Sequence, residues 1–244
     1  MRRPARTFAS IVLVAVAAPV SAQSIQLDPP GDREFILDRA GMIRPGDAES
    51  ITAICDVLLS EQVIPIVVVT IESMAWYGGD GMSIERFAFE LFNQWEIGYE
   101  SVNGTPWNRG VLLLVSRDDR KARIELGATW GHGANAYCQQ IMDEQIIPNF
   151  KDGRFSAGIL AGVVALDKLA RNEPLPDAAK SSSDSGGGFL SGIMGVLLYP
   201  IVLIVALFKA IFGGGRRSGG SGGSFSGGSF GGGFSGGGGA SGSW

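Results

Sequence analysis

The 244 residues carry 24 Asp and Glu against 20 Lys and Arg, and six of those bases (Arg2, Arg3, Arg6, Lys209, Arg216 and Arg217) lie in two terminal segments. The stretch between is therefore acidic, which argues against binding nucleic acid or anionic lipid through charge and favours cations or basic partners. One histidine and two cysteines without Cys-x-x-Cys spacing cannot supply a usual zinc set.

Residues 1–22 read as a secretory signal. Arg2, Arg3 and Arg6 precede an apolar stretch from Phe8 to Ala18, and Val20-Ser21-Ala22 offers the cleavage site. That apolar core is shorter than the roughly 20 residues of a bilayer crossing. An exported setting permits a Cys55–Cys138 disulfide, while two buried thiols are the simpler expectation.

Residues 23–173 are expected to form one extracytoplasmic domain, large enough for a real core. Phe35 to Asp38 reads as a strand. Asp47 is a candidate cap for a helix with Ile51, Ile54, Cys55, Leu58 and Leu59 at helical spacing. Ile64 to Ile71, nearly all β-branched, predicts a strand covered on both faces. Ser83 should cap a helix that buries Ile84, Phe87, Leu91 and Trp95. Val111 to Val115 predicts a second buried strand. Asp118-Asp119-Arg120 then reads as a tight turn, and Lys121 to Gly127 as a return strand that alternates Ala122, Ile124 and Leu126 with Lys121, Arg123 and Glu125. A helix from Asn135 to Ile147 should be closed by Pro148, and a last one should run from Phe155 to about Arg171. This order implies an α/β fold, a layered mixed sheet flanked by helices.

Residues 174–188 turn to Pro, Ala, Ser and Gly and read as a linker. Residues 189–212 follow as one transmembrane helix, uncharged from Phe189 to Phe208 and then basic, so the tail is expected in the cytoplasm. Residues 213–244, Gly and Ser with single phenylalanines and a terminal Trp244, are expected to be disordered.

Several stretches in order make the chain resemble the TPM-domain family. They are Asp38-x-Ala40, the Ile64–Thr70 strand, Leu91-Phe92-x-x-Trp95-x-Ile97-Gly98, Arg109 to Val115, Asp119-Arg120-Lys121, Arg123 to Gly127, Ile146-Ile147-Pro148-x-Phe150, and Ser156 to Ile159. The Gly-rich tail ending Gly239-Ala240-Ser241-Gly242-Ser243-Trp244 is similar to that of membrane-anchored bacterial members. The resemblance implies an exported α/β domain. It also brings a phosphatase label, plant lumenal relatives linked to photosystem II repair, and some calcium-binding relatives. Arg44 departs from the Ser or Thr that opens the first helix in the family, and Asn135 from a common Asp.

If the strands ending at Asp38, Ile71 and Val115 are parallel, as right-handed crossovers would make them, Asp38, Glu72, Asp118 and Asp119 gather at one edge with Arg120 near. The return strand carries His132 and Asn135 about 20 Å away. Catalytic candidates are therefore Asp38, Asp119 and Arg120, and metal candidates are Asp38, Asp118 and Asp119. Hard oxygen ligands suit Ca2+ or Mg2+. The simpler alternative is a solvated rim of turn acids. No nucleotide or organic cofactor is expected, since Gly-x-Ser-x-Gly and Walker patterns are absent and Gly127 to Gly133 lacks dinucleotide-loop spacing. Two functions stay open. One is a membrane-anchored binding factor for assembly or maintenance of membrane or exported proteins. The other is a metal-assisted, acid-phosphatase-like hydrolase of phosphate monoesters.

Overall fold

The computed structural model describes residues 24–31, 33–175 and 232–244. The expected signal, and the apolar segment 189–212, lie outside the described residues. No helix among the described residues is long and apolar enough to cross a membrane.

The first strand, β1 (Ile36–Asp38), leads to α1 (Pro45–Gln62) and then to β2 (Ile66–Ile71). Pro45 opens α1 where its missing N–H costs nothing, so Asp47, expected as the cap, is the third residue of the helix. Arg44 offers no side-chain cap. Instead the Ser156 hydroxyl, reaching over from the last helix, accepts the Arg44 N–H at 2.9 Å and donates to Asp47.

Ser83 caps α2 (Ile84–Gln94) by accepting the Arg86 N–H at 3.3 Å. A two-rung hairpin, β3 (Ser101–Val102) with β4 (Thr105–Pro106), lies in the connection that follows α2. Then come β5 (Val111–Ser116) and β6 (Lys121–Gly127), antiparallel to each other. β1, β2 and β5 are mutually parallel. The core splits by strand parity. Ile66, Val68, Val111, Leu113 and Val115 face the layer that holds Ile51, Cys55, Leu58, Ile159 and Val163. Val67, Val69, Ile71, Leu112 and Leu114 face Ile84, Phe87, Leu91 and Trp95. This explains why both strands are apolar at all but one position, Thr70 in β2 and Ser116 in β5. The two crossovers advance the same way across parallel strands yet lie on opposite faces, so they are of opposite hand. The right-handed rule accounts for one of them, although the strand directions are as expected.

The helix expected from Asn135 to Ile147 is broken up. It runs as α3 (Asn135–Ile141), widens into a π turn over Met142–Ile146, and resumes as α4 (Ile147–Lys151). Pro148 does not close it. It lies in the first turn of α4, where the widened turn leaves no carbonyl waiting for its absent N–H. The last helix, α5 (Phe155–Arg171), matches its expected span and buries Ile159, Val163, Leu166 and Ala170.

The largest correction concerns the chain end. Residues 235–243, expected to be disordered, form β7 (Ser235–Ser243), antiparallel on β6, and the sheet order is β1-β2-β5-β6-β7. Gly and Ser alone bury too little apolar surface to fold by themselves. What they supply is a backbone ladder to the open edge of β6, and Trp244, whose ring stands edge-on to Phe150 with centroids 4.7 Å apart. A chain end paired to β6 shares a compartment with the domain. That pairing and a tail left across a membrane by a single crossing exclude one another in one molecule.

Cys55 and Cys138 are both free and buried. Burial pushes the Cys138 thiol up to about 12 and the Cys55 thiol higher still, so both behave as apolar filler.

Candidate functional site

The carboxyl ends of β1, β2 and β5 lie along one edge, as the parallel register requires, and the acids named from the sequence are there. Asp38 accepts the Met42 and Ile43 N–H groups at 2.9 and 3.0 Å and the Thr70 hydroxyl. It therefore pins the β1–α1 loop to β2. Asp119 accepts the Met74 N–H at 2.8 Å and the Ser116 and Ser73 hydroxyls at 2.6 and 3.1 Å. Asp118 is exposed and paired with Arg117 at 2.8 Å. Arg120, exposed, sits at φ 53° in the tight turn, and its guanidinium makes no hydrogen bond or ion pair among the described residues.

These acids hold loops. Asp38 and Asp119 spend their oxygens on protein donors and Asp118 on a guanidinium. Among the described residues, no three Asp, Glu, His or Cys side chains form a group able to hold a metal ion.

What Asp119 holds is informative. Ser73 and Met74 begin the short 3-10 turn Met74–Tyr77, and Trp76 on that turn is 65 % exposed. Tyr77 closes the turn by donating to Glu72 at 2.7 Å. Burial alone would raise the Asp119 pKa, but hydrogen bonds from Ser116, the Met74 N–H and Ser73, with Lys121 nearby, outweigh it and hold the carboxyl below its usual value. A depressed acid stabilises the fold above the unfolded-state pKa and loses that contribution as pH falls through the folded one. Asp119→Ala is accordingly expected to cost about 1–3 kcal/mol at pH 7. Urea denaturation of both proteins should show the gap closing towards pH 3; a gap that does not narrow in acid would contradict this role.

Beside the rim, a concavity of about 420 Å³ is lined by Arg44, Arg117, Arg154 and Ser156. Each arginine already has an acid: Arg44 with Asp47, Arg117 with Asp118, and Arg154 with Asp152. Arg117 also donates to the Ala40 carbonyl at 2.9 Å, which joins the turn to the β1–α1 loop.

At the opposite edge, His132 is exposed in a short 3-10 turn, away from the acids as the antiparallel return of β6 predicts. Asn135 has a task the sequence did not reveal: its Oδ1 accepts the Gly239 N–H at 2.8 Å. It is one of several polar residues that grip the chain end. Asn108 pairs through both amide atoms with the Phe234 backbone, at 2.7 and 3.1 Å. Asn93 accepts the Ser235 N–H at 2.8 Å. Arg123, in an ion pair with Glu125 at 2.6 Å, donates to the Gly238 carbonyl at 3.2 Å. Glu125 accepts the Ser235 hydroxyl. Arg123 and Glu125, which alternate with the apolar residues of β6, are both buried as well because α2 and β7 cover that side of β6.

A sequence profile of the TPM domain matches residues 36–169, from the start of β1 almost to the end of α5. The chain belongs to the TPM-domain family. No curated protein matches it. Solved structures similar to this TPM domain include the N-terminal domain of a protein from P. gingivalis. It is 25 % identical, covers 57 % of this chain and 83 % of its own, and has a TM-score of 0.46. The N-terminal domain of the cg2496 protein from Corynebacterium glutamicum is 15 % identical, covers 74 % and 96 %, and has a TM-score of 0.43. The BA42 protein from Bizionia argentinensis is 16 % identical, covers 55 % and 86 %, and has a TM-score of 0.42. The matched segment ends well before β7, so the strand that is gripped lies outside the stretch that identifies the family, while Asn93, Asn108, Arg123, Glu125 and Asn135, which grip it, lie inside.

Proposed function

We propose that this TPM domain acts by binding, as an extracytoplasmic factor in the assembly or maintenance of membrane or exported proteins, with the apolar segment 189–212 seated at the membrane so that the chain end stays on the side of the domain, where it can pair with β6. The observation that carries the reading is Trp76. A large aromatic side chain, 65 % exposed, rides on a turn that Asp119 fixes from below through Ser73 and Met74. Rigidly presented tryptophans are typical anchors of protein interfaces, and Asp119, an acid that looks catalytic in the sequence, serves to present this one.

The hydrolase reading is favoured by one arrangement, the concavity between Arg44, Arg117 and Arg154 beside Asp38 and Asp118, where guanidinium groups could steady phosphate charge. One paired assay separates the two. The purified chain is incubated with a generic phosphate monoester with and without Ca2+ or Mg2+, and its unfolding temperature is followed with each ion. Binding predicts no turnover, in wild type or in Trp76→Ala. Turnover that disappears in Asp119→Ala, while that variant remains folded, would establish the hydrolase instead. Stabilisation by calcium without turnover would add a cation to the binding reading.

A further inference from the structure

The edge of β6 carries a built recognition site for one kind of peptide. We propose that this groove is an exchangeable binding site for a glycine-rich chain end terminating in tryptophan. In this chain it is filled by its own residues 232–244, and it also accepts the same chain end from a second copy. The inference does not depend on the acidic rim or on the binding function proposed for it.

Three observations support it. First, the groove is lined with polar groups whose partners are on the chain end: buried Glu125 with the Ser235 hydroxyl, buried Asn108 with both polar atoms of the Phe234 backbone, buried Arg123 with Gly238, and half-buried Asn135 with Gly239. If the strand leaves, these groups lose those bonds in a poorly hydrated setting, which is costly and favours a replacement. Second, the groove reads sequence by excluding side chains. A Cβ on Gly239 would lie 1.9 Å from the Ile124 carbonyl oxygen, and one on Gly242 would lie 2.6 Å from the Met142 side chain. Third, the far end is an aromatic socket in which Trp244 meets Phe150 and Phe155, with centroids 4.7 and 6.0 Å away. Together these give strand addition with selection at Gly239, Gly242 and Trp244. Residues 176–231 separate the domain from the strand, enough covalent chain at about 3.3 Å per residue to reach a neighbouring copy.

The tethered strand has a high effective concentration and hinders competitors, so the test begins by unseating it. In the full chain carrying Gly239→Val the substitution lies on the ligand and leaves the groove intact. A synthetic peptide of residues 232–244, dye-labelled at its N-terminus, is titrated with this variant and followed by fluorescence anisotropy. Saturable binding is expected to Gly239→Val, at least tenfold tighter than to wild type. A peptide bearing the same Gly239→Val change, or lacking Trp244, should bind at least tenfold more weakly. If Gly239→Val does not fold by circular dichroism, Trp244→Ala in the full chain replaces it with the same expectations. A folded variant that binds no peptide, or that binds wild-type and altered peptides equally, would overturn the proposal.

Discussion

Replacing Arg123 by methionine is expected to destabilise the domain by about 3–5 kcal/mol, because it strands the buried Glu125 carboxylate without its counter-charge. The Glu125 side chain is 1 % exposed and that of Arg123 is 9 % exposed. Even with the pair intact, burial raises the Glu125 pKa; Ser235 and Arg123 act against this and Glu85 adds to it. The sign follows from that direction. A carboxyl whose folded-state pKa is raised takes up protons on folding, so it costs stability as pH rises from its unfolded to its folded value. Arg123→Met should therefore lose more stability at pH 7 than near pH 4, where the stranded carboxyl can protonate. The double variant Arg123→Met with Glu125→Leu should recover much of the loss, since hydrophobic replacements of buried pairs are commonly tolerated. Equilibrium urea unfolding of the three proteins at the two pH values checks each part. A loss below about 1 kcal/mol for the single variant would place the pair in the class of solvated surface bridges.

The second large effect is expected from Gly239→Val. Its Cβ would lie 1.9 Å from a backbone oxygen of the neighbouring strand, and the residue has φ +126°, so neither side-chain adjustment nor a small backbone shift relieves the clash. The strand must then leave the β6 edge over at least its central rungs. The cost cannot exceed the free energy with which β7 is docked, because beyond that point the strand simply detaches. Gly239→Val and a chain truncated after Gly231 should therefore unfold at similar urea midpoints, both below wild type. The β6 amides that pair with β7 should exchange about 30-fold faster or more, equivalent to about 2 kcal/mol of lost protection. Equal protection in variant and wild type would mean that β7 is not what covers β6.

Much of the fold is written in local patterns. Ile66 to Ile71 and Val111 to Ser116 announce buried strands because both parities meet a packed layer. Ser83 and the spacing of Ile84, Phe87 and Leu91 mark α2. The shared edge of Asp38 and Asp119 followed from strand direction alone. What those carboxylates do there did not, because a turn acid that ligates an ion and one that accepts loop N–H groups look alike in sequence. β7 was hidden for a different reason. Its Gly and Ser residues have neither period-two hydrophobicity nor strand propensity, and the information that seats them lies in Asn93, Asn108, Arg123, Glu125 and Asn135, scattered over the preceding chain. One signal was available: Arg123 and Glu125 sit in a seven-residue strand beside an otherwise apolar core, and a second layer over them would have required a partner for the open edge. The π turn at Met142–Ile146 had no signal beyond Pro148 itself.

The chain end completes the sheet as the strand beyond β6. The most direct measurement is amide hydrogen exchange of the full-length chain, read by mass spectrometry over residues 235–243 and 121–126. Protection of both segments, released together on Gly239→Val, is the predicted result. Exchange of residues 235–243 at the rate of an unstructured peptide, with residues 121–126 protected regardless, would contradict it.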